Sequence, residues 1–178
     1  KRQAQAEYLA ALLARLQSEG GGAPLLAVGD FNAFEVSDGL VDVIGTVRGA
    51  PAPASEVVVN RSVDLVDPDL ADLCAVDALV PPSERYSYVY DGNAQLLDHA
   101  LASAATLPLV RGVAFARLGA DFPESMRGDA ARPERLADHD GLVVRLGLSP
   151  QEGRSPVVPV PDGEPASPFR SRAPETIP

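Results

Sequence analysis

Pro24-Leu25-Leu26-Ala27-Val28-Gly29-Asp30-Phe31-Asn32 is a short apolar run that ends abruptly in acid and amide side chains. A run without polar interruption reads as a strand covered on both faces, not as a half-exposed one. Polar groups at the end of such a strand stand where layered α/β folds place their sites. Upstream, Gln3 to Gln17 carries Tyr8, Leu9, Leu12, Leu13 and Leu16 at three- and four-residue spacings and stops at Ser18-Glu19-Gly20-Gly21-Gly22. That spacing predicts an amphipathic helix, and the glycines end it before the strand begins.

Downstream the pattern is less regular. Residues 37 to 84 hold a Pro/Ala-rich loop at Ala50 to Ala54, a β-branched run at Val57 to Val59 and acids at Asp64, Asp67, Asp69 and Asp72, which predicts a long loop with short helical turns. Tyr86 to Tyr90 alternates aromatics, Asp91-Gly92-Asn93 is turn chemistry, and Gln95 to Ala102 reads as the returning strand of a hairpin. Val113 to Ala116 and Leu142 to Leu146 predict two further strands, with a polar loop from Gly119 to Arg135 between them. Eight of the 17 prolines fall in residues 150–178, so residues 149–178 are expected to be a disordered tail or linker and residues 1–148 the folded domain.

The length of 178 residues suits one domain, and 46% hydrophobic with 22% charged residues is enough to build a core. No apolar run approaches the 18 residues needed to cross a bilayer. The formal net charge of -10 repels phosphate backbones, so a nucleic-acid substrate needs a divalent cation or a local arginine cluster. One cysteine, Cys74, excludes an internal disulfide, and with only His99 and His139 beside it an ordinary Cys/His zinc site is excluded too. Oxygen-ligated metals remain open. The chain starts at Lys1, directly in the helical pattern, and reads as a piece whose start, with any export signal, is missing.

Three segments place acid, amide and imidazole groups at strand ends: Gly29-Asp30-Phe31-Asn32, Leu97-Asp98-His99 and Ala137-Asp138-His139-Asp140. Each alone is ordinary cap or turn chemistry. Together, in this order, they resemble the C-terminal half of the endonuclease/exonuclease/phosphatase superfamily, the fold of deoxyribonuclease I and the apurinic endonucleases. The resemblance covers about residues 1 to 147, and Phe34-Glu35, Tyr86-Ser87-Tyr88 and Asp121-Phe122-Pro123-Glu124-Ser125 look more like its large secreted bacterial nucleases. Two positions depart from the family pattern: Ala137 stands where Ser is usual, and Gly141 where Pro is common.

The resemblance implies the C-terminal half of a four-layer α/β sandwich with mostly antiparallel strands, a secreted or cell-surface location, and metal-dependent phosphodiester hydrolysis. Asp30 would hold or deprotonate the attacking water, and Asn32 would bond that nucleophile or a phosphate oxygen. Asp98 would orient His139, and Asp138, with Asp30, would stand at the metal. Arg135 joins Asn32 and His139 as a phosphate-binding residue. The expected cofactor is a divalent cation, Mg²⁺ before Mn²⁺ or Ca²⁺, and the expected partners are nucleic acid and the missing N-terminal half of the same domain, whose metal-binding Glu has no counterpart here. Phosphodiester cleavage needs charge neutralisation, an oriented water and a cationic donor, which these residue types supply.

Other polar residues receive plainer readings. Strand alternation turns His99 away from the side that Asp98 faces, so His99 is expected to be a packed structural histidine, and Asp140 a loop residue behind His139. The acids at 64, 67, 69 and 72 lack the spacing of a calcium loop and read as a solvated loop. Arg127, Arg132 and Arg135, within nine positions, are the only local positive cluster; contact with a phosphate backbone and a plain surface loop both remain open for them. Two further functional readings stand beside the nuclease: a phosphoesterase of the same fold acting on a phospholipid or other small phosphate ester, and a non-catalytic structural or surface-display segment.

Overall fold

A computed structural model describes residues 1–53, 55–58 and 72–148. The acids Asp64, Asp67 and Asp69 and the proline-rich tail lie outside the described residues. The first helix, α1 (Arg2–Glu19), covers the predicted span and buries Ala6, Ala10 and Leu13. It feeds β1 (Leu26–Asp30), which is followed by α2 (Val43–Arg48) and β2 (Leu73–Ala75). A hairpin of β3 (Tyr88–Tyr90) and β4 (Asn93–Gln95) comes next, then β5 (Asp98–Ser103), β6 (Val110–Ala116) and β7 (Gly141–Leu146). The fold is mixed α/β, and among the described residues all strand pairs are antiparallel.

β5 lies between β1 and β2, with Asp30 opposite Asp98 and Gly29 opposite His99. Because strand side chains alternate, the two faces of this sheet divide cleanly by residue parity. Ala27, Phe31, Leu73, Ala75 and Leu101 pack with α1 and α2 around Ile44 and Val47, which are fully buried. Leu26, Ala100 and Ala102 face the other way, against Val110, Val113, Leu142 and Val144 of the β6–β7 ribbon. β5 is thus covered on both sides, as its run Ala100-Leu101-Ala102 demands. Among the described residues no helix is long and apolar enough to cross a membrane.

The predicted hairpin is present but shorter than expected. Asp91 and Gly92, at φ 47° and 77°, form the two-residue loop that joins Tyr90 to Asn93. The returning strand ends at Gln95, and after Leu96 and Leu97, both buried, the chain changes sheets and pairs with β1. Ser87 makes this crossing, since its buried Oγ accepts the backbone N–H groups of both Leu97 and Asp98, at 3.2 and 3.1 Å.

Candidate functional site

β1 and β5 run antiparallel, so the end of β1 meets the start of β5, and Asp30 and Asp98 become neighbours. Asp98 has even parity and faces the β6–β7 side, where the segment before β7 brings in His139. His139 Nδ1 lies 2.6 Å from Asp98 Oδ2, with the two side chains 23% and 15% exposed. One donor atom each from Asp30, Asp98 and His139 lies within 4.8 Å of the others. Asn32 completes the turn from φ 49°, donating its backbone N–H to Asp30 Oδ1 at 2.7 Å and its side-chain amide to Asp30 Oδ2 at 3.1 Å. Four residues singled out from sequence therefore share one strand end.

The two others named from sequence stand differently. Asp138 is outside the three-residue group, with its carboxylate half exposed and 3.7 Å from the Arg127 guanidinium. Arg135 is tied down: it bonds Glu124 at 3.0 Å and the Gly119 carbonyl at 3.0 Å, and reaches the Asp138 carbonyl at 3.5 Å. Arg127 also pairs with Glu124, and Arg132 with Asp129 at 3.0 Å, so the positive cluster is matched by local acids. The Arg127 and Arg135 hydrogen bonds hold the exposed Glu124 carboxyl below the usual range.

Asp140 holds the loop that carries His139. Its buried carboxylate accepts the N–H groups of Leu118, Gly119 and Ala120 at 3.1, 2.8 and 3.1 Å, and Arg117 at 2.7 Å. Arg117 in turn lies over the Tyr86 ring at 3.6 Å and donates to the carbonyls of Tyr86 and Glu84. Gly119 passes so close to the His139 carbonyl that a Cβ there has no room. Burial and the bond to Asp121 push the Tyr86 hydroxyl above its ordinary pKa.

Three contributors received no role at the site from the sequence. Ser87 joins the Asp98 and His139 segments, since besides its hydroxyl bonds its carbonyl accepts the Asp140 N–H at 2.7 Å. The Tyr88 ring lies 4.7 Å from the His139 imidazole at 31°. Asp77 is buried against His99, which itself is closed to solvent on the helix-facing side, where alternation placed it.

Two carboxylates and an imidazole form a donor set that a hard divalent cation accepts, and among the described residues no cationic side chain pairs with Asp30. Asp30 and Asp98 offer carboxylate oxygens of the kind a hard divalent cation takes, while Nδ1 of His139 is engaged by Asp98. Comparison with protein-family models, curated proteins and solved structures finds no match for this chain.

Proposed function

We propose that this chain carries the catalytic strand end of a divalent-cation-dependent phosphodiesterase, a secreted nuclease acting on DNA or RNA. The observation that carries the reading is the convergence of Asp30, Asp98 and His139, drawn from three separate motifs, on one strand end. The layering of helices, the β1–β5–β2 sheet and the β6–β7 ribbon supports placing it as the C-terminal half of a four-layer sandwich.

Each side chain then has a task that its geometry allows. Asp98 accepts the Nδ1–H of His139, which fixes the ring and turns Nε2 toward a phosphoryl oxygen, to which the imidazolium form donates. Asp30, exposed and held by Asn32, accepts a proton from, or orients, the attacking water. The Asn32 amide uses one N–H on Asp30 and keeps another for a phosphate oxygen. Asp30 and Asp98 would hold the cation, which when bound would supply charge neutralisation at the phosphoryl group. Arg135, fixed by Glu124 and two carbonyls, contributes by holding the His139 loop, and its charge faces phosphate only if Glu124 releases it.

The test is plasmid nicking and bis-aryl phosphodiester hydrolysis by the full-length protein with Mg²⁺, Mn²⁺, Ca²⁺ or EDTA, beside a D30A/H139A control. Cation-dependent nicking that the control lacks is the expected result. Aryl-ester turnover without nicking moves the substrate to a small phosphate ester, and silence in both assays overturns the catalytic reading.

A further inference from the structure

The Asp30–Asn32 turn has a second support, on the opposite face of the sheet from His139. His99 Nε2 lies 2.8 Å from the carbonyl oxygen of Ala33, and Nδ1 lies 3.1 Å from Asp77 Oδ2. Asp77 Oδ1 accepts the Ala100 N–H at 3.2 Å, so the acid is anchored to β5 as well. Both side chains are closed to solvent, His99 at 0% and Asp77 at 2%. A carbonyl oxygen only accepts, so Nε2 donates to Ala33. The Phe31 ring meets the imidazole edge-on at 5.8 Å.

Phe31 and Ala33, the two neighbours of Asn32, therefore both rest on His99. Asn32 itself sits at φ 49°, in the left-handed region that Asn tolerates better than most residues. As a source of stability alone, a buried ionisable pair is poor, because apolar groups of like volume often serve as well or better. What an apolar ring lacks is a donor for the Ala33 carbonyl.

We propose that His99 is a positioning residue: it fixes the Asp30–Asn32 turn through the Ala33 carbonyl, and Asp77 holds His99 in place to do so. The inference rests on the phosphodiesterase reading of this site, but not on which phosphodiester is cut. Two amide substitutions separate positioning from packing. In His99→Gln the side-chain amide reaches where Nε2 stands and keeps the Ala33 contact. In His99→Asn it reaches where Nδ1 stands, keeps Asp77 and releases Ala33.

Each variant loses one hydrogen bond from the same buried place, so a merely structural role lowers both activities in step with both melting temperatures. Positioning predicts that kcat falls about 100-fold in His99→Asn with KM little changed, while His99→Gln stays within about fivefold of wild type. Amide hydrogen exchange at Asn32 and Ala33 should quicken in the Asn variant alone. Equal losses in the two variants, or undisturbed exchange in both, overturn the proposal. If neither variant folds, Asp77→Asn is read by exchange: its amide donates to Nδ1, its carbonyl still accepts from Ala100 and the Ala33 contact survives, so quickened exchange at Asn32 and Ala33 in the folded variant overturns the proposal. Should the wild-type protein cleave no phosphodiester, the exchange contrast alone tests the clamp, and the catalytic reading fails separately.

Discussion

At the residue scale, the candidate site depends on which nitrogen of His139 faces inward. Asp98 Oδ2 at 2.6 Å fixes Nδ1, and Tyr88 limits ring rotation from the side. Replacing Asp98 by Asn keeps the size but lets the amide present either its oxygen or its nitrogen to the ring. D98N is expected to lower phosphodiester turnover of the full-length protein by about 10²–10⁴-fold while the melting temperature changes little. Steady-state kinetics beside thermal melting checks this, and wild-type turnover in folded D98N removes Asp98 from the mechanism. Asp30, Asn32, Asp98 and His139 were legible because their three short motifs, taken together and in order, resemble a known pattern, whereas each alone is ordinary cap or turn chemistry. Asp77 and Ser87 were not, because their partners are distant in sequence: Asp77 meets His99 and Ser87 meets Asp98 only after β5 enters the sheet.

At the scale of elements, the loop before β7 is held by one carboxylate. Asp140 takes three backbone N–H groups and Arg117, so D140A leaves four donors without their acceptor in a buried place. A loss of about 3 kcal/mol is expected from urea unfolding; a loss under about 1 kcal/mol means that water replaces the carboxylate there.

The turn after β1 has an acid of the same kind in Asp38, which accepts the Leu40 and Val41 N–H groups at 2.8 Å each and Arg2 of α1 at 2.6 Å. Burial tends to raise its carboxyl, but the two backbone bonds and Arg2 prevail and hold the pKa below the ordinary 3.8. A carboxyl lowered by folding stabilises the native state above its unfolded pKa, and that contribution is lost as pH falls through the folded value. The stability gap between wild type and D38N should therefore be full at neutral pH and close below 3.8, as urea midpoints at a series of pH values will show. A gap that is constant with pH means Asp38 acts without its charge. Element boundaries were legible where a long period or a glycine turn marks them, as in α1 and at Asp91-Gly92. β2 was missed because three residues carry no period, and the split between β4 and β5 because it is made by the Ser87 hydroxyl rather than by a turn residue.

Across the whole molecule, the layers follow from strand parity, but the sequence could not say which elements would cover which face. The same parity exposes one side of the central sheet. The bonds from Phe31 N–H to the Leu97 carbonyl and from Ser103 N–H to the Leu25 carbonyl show that the odd residues of β1 bond with β5. The backbone groups of Leu26, Val28 and Asp30 therefore point away from β5, and among the described residues no strand lies on that side. Val28 is 53% exposed in mid-strand, beside a cavity of about 710 Å³ whose wall includes Ala6 and Leu9 of α1. Backbone donors on an open edge exchange with water far faster than those in the ladder. In this chain the amides of Leu26, Val28 and Asp30 should exchange rapidly while those of Ala27 and Gly29 stay protected, an alternation that residue-resolved hydrogen exchange reads directly. Uniform protection along β1 means that a further strand pairs with this edge in solution.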